Sequence, residues 1–341
     1  MNIPVHSSYI RRKDMDSVLN CLVSDAVGPG ELGERLVKLA RETLGLDSAL
    51  TFRSPVDALL AALEALGMAR GTRVAASALS PAWYARAFES YGVEPIWLDV
   101  AADSGLPGPS ELERARERGA VALVYRAPYG LVPDPVWFAE LGMPLVEDVS
   151  SSLGARFGER SAGSLGALTL IGLEQADVLT AGGGALLAAS SRREGTVLKN
   201  LADRFPPELR LPDMNAALAI AQLKELERAA SRRREIRELL GQALARSRHA
   251  PLVQPGDGES AAFGLPIVIG SGAKEARAYA RKKDIETAGA FDASVQAAGL
   301  VPEGECPRAA ALVLRCVLFP LHPKLGKNGA QKLSRVLATL P

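Results

Sequence analysis

Short apolar runs alternate with helix-length stretches through the first two-thirds of this chain. Runs at 49–52, 74–76, 95–98, 120–124 and 144–146 have strand length. Two more, at 165–173 and 184–188, are joined through the tract 174–183. Helical segments lie between the strands. The clearest opens with Ser54 as N-cap and Pro55 as first helical residue, and closes at Gly67. Its apolar face is Val56, Leu59, Leu60, Leu63 and Leu66. Such alternation implies a parallel sheet covered by helices on both faces.

The last third changes character. A long helical pattern starts at Pro212 and Asp213 and runs to Arg246, with Met214, Leu218, Ala221 and Leu226 on its apolar face. The stretch 249–258 reads as a linker. Beyond it come a strand (263–269), a helix (273–282), an irregular segment, a strand (312–318) and a helix (328–339). The expected organisation is a large domain with an N-terminal arm over 1–248 and a small α/β domain over 249–341.

Composition removes several function classes. The 341 residues carry a net charge of +1, with no basic stripe and few aromatics, so nucleic-acid binding has no electrostatic basis. The run Arg232, Arg233, Arg234 reads as a solvated helix face. Cys21, Cys306 and Cys316 are scattered, with neither metal-ligand spacing nor a disulfide framework, so no metal is expected and a cytoplasmic setting fits. The N-terminus lacks the pattern of a signal peptide. The stretch 161–190 is broken by Glu174, Asp177 and several glycines, which argues against a membrane span. Gly182, Gly183 and Gly184 are too few for a phosphate-loop fingerprint, and Ser150, Ser151 and Ser152 read as turn residues.

Several segments occur in a telling order: Ile3 and Pro4, then 24–30, 54–67 with 71–74, 91–99, 129–134, 211–226 and 319–323. Together they resemble the DegT/StrS-type family of sugar aminotransferases, which depend on pyridoxal phosphate (PLP). The resemblance implies an aspartate-aminotransferase-type fold: a large, mostly parallel sheet with helices on both faces, and a smaller C-terminal α/β domain. It also implies a homodimer whose sites draw on both subunits. The usual reaction moves an amino group from glutamate to a keto sugar attached to a nucleotide.

PLP catalysis needs a carboxylate on the pyridine nitrogen, a phosphate cradle, a group against the ring and a lysine that forms the aldimine. By resemblance, Asp148 takes the carboxylate position; the bare alternative is a strand-end aspartate capping the next turn. The phosphate cradle falls on Ser54 and Val56, where proline and valine have removed an N–H and a hydroxyl. Ser54 also reads simply as a helix cap. Gly172 stands where the family has a phosphate-binding serine. Glu208 stands where it has an asparagine that reaches the partner's site. Trp83 falls in the ring-packing segment and also reads as a core tryptophan. Ser151 sits where a glutamine or histidine contacts cofactor or substrate.

The lysine position falls on Asp177, give or take one residue. The chain has no lysine between Lys38 and Lys199, and Lys199 lies in an expected surface helix. Related sugar dehydratases use histidine instead, but His6, His249 and His322 are all distant in sequence. Three readings follow. One is a degenerate homologue without Schiff-base catalysis, which binds a nucleotide sugar or pairs with an active relative. The second is an active aminotransferase or dehydratase-like enzyme that holds PLP or pyridoxamine phosphate without a covalent link. The third uses Asp148, Asp177 and Glu208 as an acidic cluster for a divalent metal.

Overall fold

Seven strands form the central sheet of the computed structural model, which describes residues 2–245, 247–270 and 272–341. They are β1 (Ser48–Phe52), β2 (Arg73–Ser77), β3 (Glu94–Leu98), β4 (Ala120–Arg126), β5 (Leu145–Asp148), β8 (Leu168–Gly172) and β9 (Ala185–Ala189). Between β5 and β8 lie two short strands, β6 (Arg156–Phe157) and β7 (Arg160–Ser161). The spatial order is β1-β9-β8-β5-β4-β2-β3. Only β9 runs against its neighbours, so the sheet is mixed but mostly parallel.

Alternate residues of each strand feed two cores. On one face Leu170, Ala185 and Leu187 join α3 (Pro55–Ala65), α4 (Trp83–Tyr91) and α5 (Pro109–Glu117). On the other, Ile171 and Leu186 meet α2 (Glu31–Leu44) and α7 (Asp213–Lys224). This two-residue period makes the strands apolar throughout and puts helices on both faces. Ahead of α2, helix α1 (Arg12–Val23) lies against α7. After β9, α6 (Arg192–Ala202) returns across the sheet edge at β1.

Three expectations change. The helical pattern 213–246 is two helices, α7 and α8 (Leu226–Leu244), separated at Glu225; Arg246 lies outside the described residues. Glu225 leaves the helical run to bond Arg11 and Lys13 of the N-terminal arm. The expected linker 249–258 instead opens the second sheet. Its β10 (Ala250–Pro251) pairs with β12 (Leu265–Val268), and β11 (Gly258–Glu259) pairs with β6. The strand expected at 312–318 is mostly helix: after α9 (Ala273–Lys282) and β13 (Ala288–Gly289), α10 spans Pro307–Arg315 and β14 is only Cys316–Phe319. Pro307 at the helix start and an apolar stripe at helical spacing, Ala309, Leu312 and Val313, favour the helix.

β14 lies between β12 and β13 in the second sheet, and α11 (Gly326–Leu337) packs beside α8. Ile236, Leu240 and Leu244 of α8 belong to this second core. Among the described residues, no helix is long and apolar enough to cross a membrane.

Candidate functional site

The C-terminal ends of β4, β5 and β8 bring together Arg126, Asp148, Gly172 and, just beyond, Asp177. Arg126 and Asp148 are register partners on adjacent parallel strands, so their side chains leave the sheet on one side. Asp148 has no solvent exposure and Arg126 only 16%. Every acceptor position on the Asp148 carboxylate is used. Its Oδ1 accepts the Ser150 backbone N–H (2.9 Å) and the Ser150 hydroxyl. Its Oδ2 accepts the Tyr84 hydroxyl (2.6 Å) and Arg126 Nη1 (2.8 Å). A carboxylate offers about four lone-pair sites.

Arg126 also reaches Asp177, at 3.4 Å from Nη2 to Oδ1. The other Asp177 oxygen accepts the Glu174 backbone N–H at 2.9 Å. Burial disfavours the Arg126 charge, but Asp148 and Asp177 more than offset this and hold its guanidinium protonated above its ordinary range. Burial pushes the Asp177 carboxyl up to about 6, against the pull of Arg126. Burial first, and then the Asp148 charge, raise Tyr84 well above an ordinary phenol.

Gly172 completes the cluster by what it lacks. Its N–H donates to Ser150 Oγ at 2.7 Å. A Cβ there would stand 2.2 Å from Asp177 Oδ2 and 2.7 Å from Ser150 Oγ. A side chain at 172 and the inward Asp177 carboxylate therefore exclude each other in this conformation.

The remaining sequence-predicted positions fall as follows. Ser54 caps α3: its Oγ accepts the Asp57 N–H (3.1 Å) and donates to the Asp57 carboxylate (2.7 Å). With Pro55 lacking an N–H and Asp57 in the first turn, this helix start already holds an anion of its own. Val56 is half-buried beside it. Trp83 is half-buried, with its ring 4.5 Å from that of Tyr84 and packed on the main core. Ser151 is buried and spends its hydroxyl on Ala127 O (2.8 Å). Glu208 is exposed in the turn Pro207–Leu209, where Arg53 Nε bonds its backbone oxygen. A cleft of about 350 Å³ opens beside this turn, lined by Leu50, Phe52, Phe205 and Leu209.

Lys199 is exposed on α6. His249 accepts the Gly270 N–H, and His322 lies 3.0 Å from Pro4 O, so both bond backbone groups. Within a single chain the acidic trio considered for a metal does not assemble. Among the described residues, no three His, Cys, Asp or Glu are arranged to hold an ion.

Sequence reasoning missed Arg126 and the role of Tyr84. Arg126 directly follows an apolar run, where a charge reads as the strand's end. The available signal was positional: residues at the carboxyl ends of neighbouring strands share the ligand edge of an open α/β sheet.

Known proteins share this architecture from end to end. An aminotransferase, TlmJ, from Streptoalloteichus hindustanus superposes with a TM-score of 0.87 at 20% identity, over 99% of this chain and 97% of its own. An E. coli GDP-4-keto-6-deoxy-D-mannose-3-dehydratase with bound hydrated PLP gives 0.87 at 19%, over 99% of each. The fold is thus that of the fold type I PLP aminotransferases. In sequence, an L-glutamine:2-deoxy-scyllo-inosose aminotransferase from Micromonospora echinospora is 31% identical over 54% of this chain and 50% of its own length. A UDP-4-amino-4,6-dideoxy-N-acetyl-beta-L-altrosamine transaminase from Campylobacter jejuni is 25% identical over 67% of this chain and 65% of its own. The chain thus spans between half and two-thirds of these curated relatives. A family model matches it over residues 8–338, nearly its whole length, and the chain belongs to the DegT/DnrJ/EryC1/StrS aminotransferase family.

Proposed function

We propose that this chain keeps the sugar-aminotransferase fold as a binding module and does not carry out Schiff-base transamination. The observation that carries the reading is Asp177. The family resemblance gives this position, give or take one residue, to the lysine, and the Asp177 carboxylate is engaged by Arg126 and the Glu174 N–H. A carboxylate forms no aldimine. The exposed Lys199 offers no replacement within the cluster.

The ligand class is a nucleotide-linked sugar, in keeping with the UDP-sugar transaminase among its relatives. The working form is a homodimer or a pair with an active relative. Met15, Leu19, Leu22 and Val23 leave an apolar stripe on α1 that a partner chain would cover. Three free cysteines fit a reducing cytoplasm.

The test is borohydride reduction after incubation with PLP, followed by intact-mass measurement, together with a glutamate half-reaction. The expected result is no covalent adduct and no conversion of PLP. A stoichiometric adduct or turnover would establish the other reading, an active PLP- or pyridoxamine phosphate-dependent sugar aminotransferase or dehydratase. That reading draws on Asp148, a buried carboxylate at the strand end.

A further inference from the structure

We infer that Arg126 is a built-in cation that takes the cofactor's place, so that the pocket excludes PLP and pyridoxamine phosphate even as non-covalent ligands. The inference rests on the assignment of Asp148 to the pyridine-facing position and deepens the proposal of a fold without Schiff-base chemistry.

The argument begins with hydrogen-bond capacity. A protonated pyridine nitrogen donates one hydrogen bond, which needs a free acceptor on the carboxylate. Asp148 has none to give: Ser150 fills one oxygen and Tyr84 with Arg126 fills the other. Charge leads to the same conclusion. The buried carboxylate needs a cation, and Arg126 supplies a permanent one at 2.8 Å. Binding a pyridinium there would force the guanidinium off two carboxylates at once, because Arg126 also bonds Asp177.

The phosphate end is closed as well. The α3 start has lost an N–H to Pro55, spends the Asp57 N–H on Ser54, and carries the Asp57 carboxylate. A phosphate would meet a like charge there.

Three features of this cluster thus become one device. Arg126 replaces the cationic ring, Asp177 turns inward to share its charge, and Gly172 clears the space that Asp177 enters. Asp177 without Arg126 would be a buried carboxylate without its cation, and Asp177 beside a side chain at 172 would be a clash.

Pyridoxamine phosphate is the probe, because it has no aldehyde and reports occupancy independently of any lysine. Binding is read on the full-length protein by calorimetry and by thermal shift, for wild type, R126A and R126A/D177N. The double variant removes the excess negative charge that could unfold R126A, and a bound ligand would itself stabilise either fold. The expected result is no saturable binding to wild type and a gain of roughly tenfold or more in affinity when Arg126 is removed. Saturable binding to wild type would overturn the inference while leaving the borohydride result to decide the Schiff-base question. Folded Arg126 variants that bind no better than wild type would also overturn it, since exclusion would then not reside in Arg126.

Discussion

Arg126 and Asp148 face each other in register across two parallel strands, and their side chains meet at 2.8 Å with Asp148 wholly buried. Breaking such a pair from one side is costly, whereas replacing both partners is not. Arg126→Met alone should cost about 3–5 kcal/mol, because it leaves Asp148 buried without its cation. Adding Asp148→Leu should recover part of this, since it removes the buried charge but leaves the Tyr84 and Ser150 donors without their acceptor. Urea unfolding of the two single variants and the double variant closes the cycle. Strictly additive losses would mean that the pair is not an energetic unit.

Gly172 and Asp177 should likewise be coupled. Gly172→Ser forces a Cβ to within 2.2 Å of the Asp177 carboxylate, so a loss of about 1–3 kcal/mol is expected from overpacking. In an Asp177→Ala background the same serine should cost less, keeping only the part that comes from Ser150 Oγ, 2.7 Å from the added Cβ. Thermal melts of the four proteins decide between this and a backbone effect at 172, which Asp177→Ala would not relieve.

Glu147, the neighbour of Asp148 on the opposite face of β5, predicts an acid-favouring term in stability. Burial pushes its carboxyl up to about 7, opposed by the N–H groups of Gly163, Leu165 and Gly166. A raised carboxyl pKa means that the folded state binds more protons than the unfolded one between the ordinary value, 4.5, and about 7. Stability contributed by the protonated form is therefore present below that window and is lost as pH rises through it. Asp177 adds the same sign up to about 6. Glu147→Gln should flatten the decline, by on the order of 2–3 kcal/mol between about pH 5 and pH 8. Denaturant midpoints at the two pH values measure it, and an unchanged slope would rule out Glu147 as the source.

Asp213 is another buried carboxylate with a definite structural task. It accepts the backbone N–H groups of Gly30 (3.0 Å), Leu32 (3.1 Å) and Gly33 (2.9 Å), and so caps α2 from outside its own segment. Asp213→Ala should cost about 2–4 kcal/mol, more than a local cap, because three donors lose a charged acceptor. Asp213→Asn should recover part of this. Amide exchange should then accelerate first at the start of α2.

Much of this arrangement was legible in the chain itself. The seven apolar runs lie on the seven strands of the main sheet, because strands buried on both faces must be apolar throughout. The Ser54 cap was readable because a cap acts within three residues. The Arg126 cluster was not, because it depends on strand register between residues 22 and 51 positions apart. The break at Glu225 was hidden for a related reason: no glycine or proline marks it, and the residues that draw Glu225 aside, Arg11 and Lys13, lie over 200 positions away. The stretch before Cys316 misled because a short apolar run suits a helix or a strand equally well.

The Asp213 cap also sets an order of events in the cell. Gly30 and its capping carboxylate are 183 residues apart. At about 5–20 residues per second, a ribosome needs roughly 10–40 s to make that interval. For that time the residues of α2 lack their capping carboxylate, and the N-terminal arm has no α7 to rest on. The beginning of this protein is finished by a residue made long after it, so the nascent chain passes through a period in which its first two helices depend on whatever else shields them.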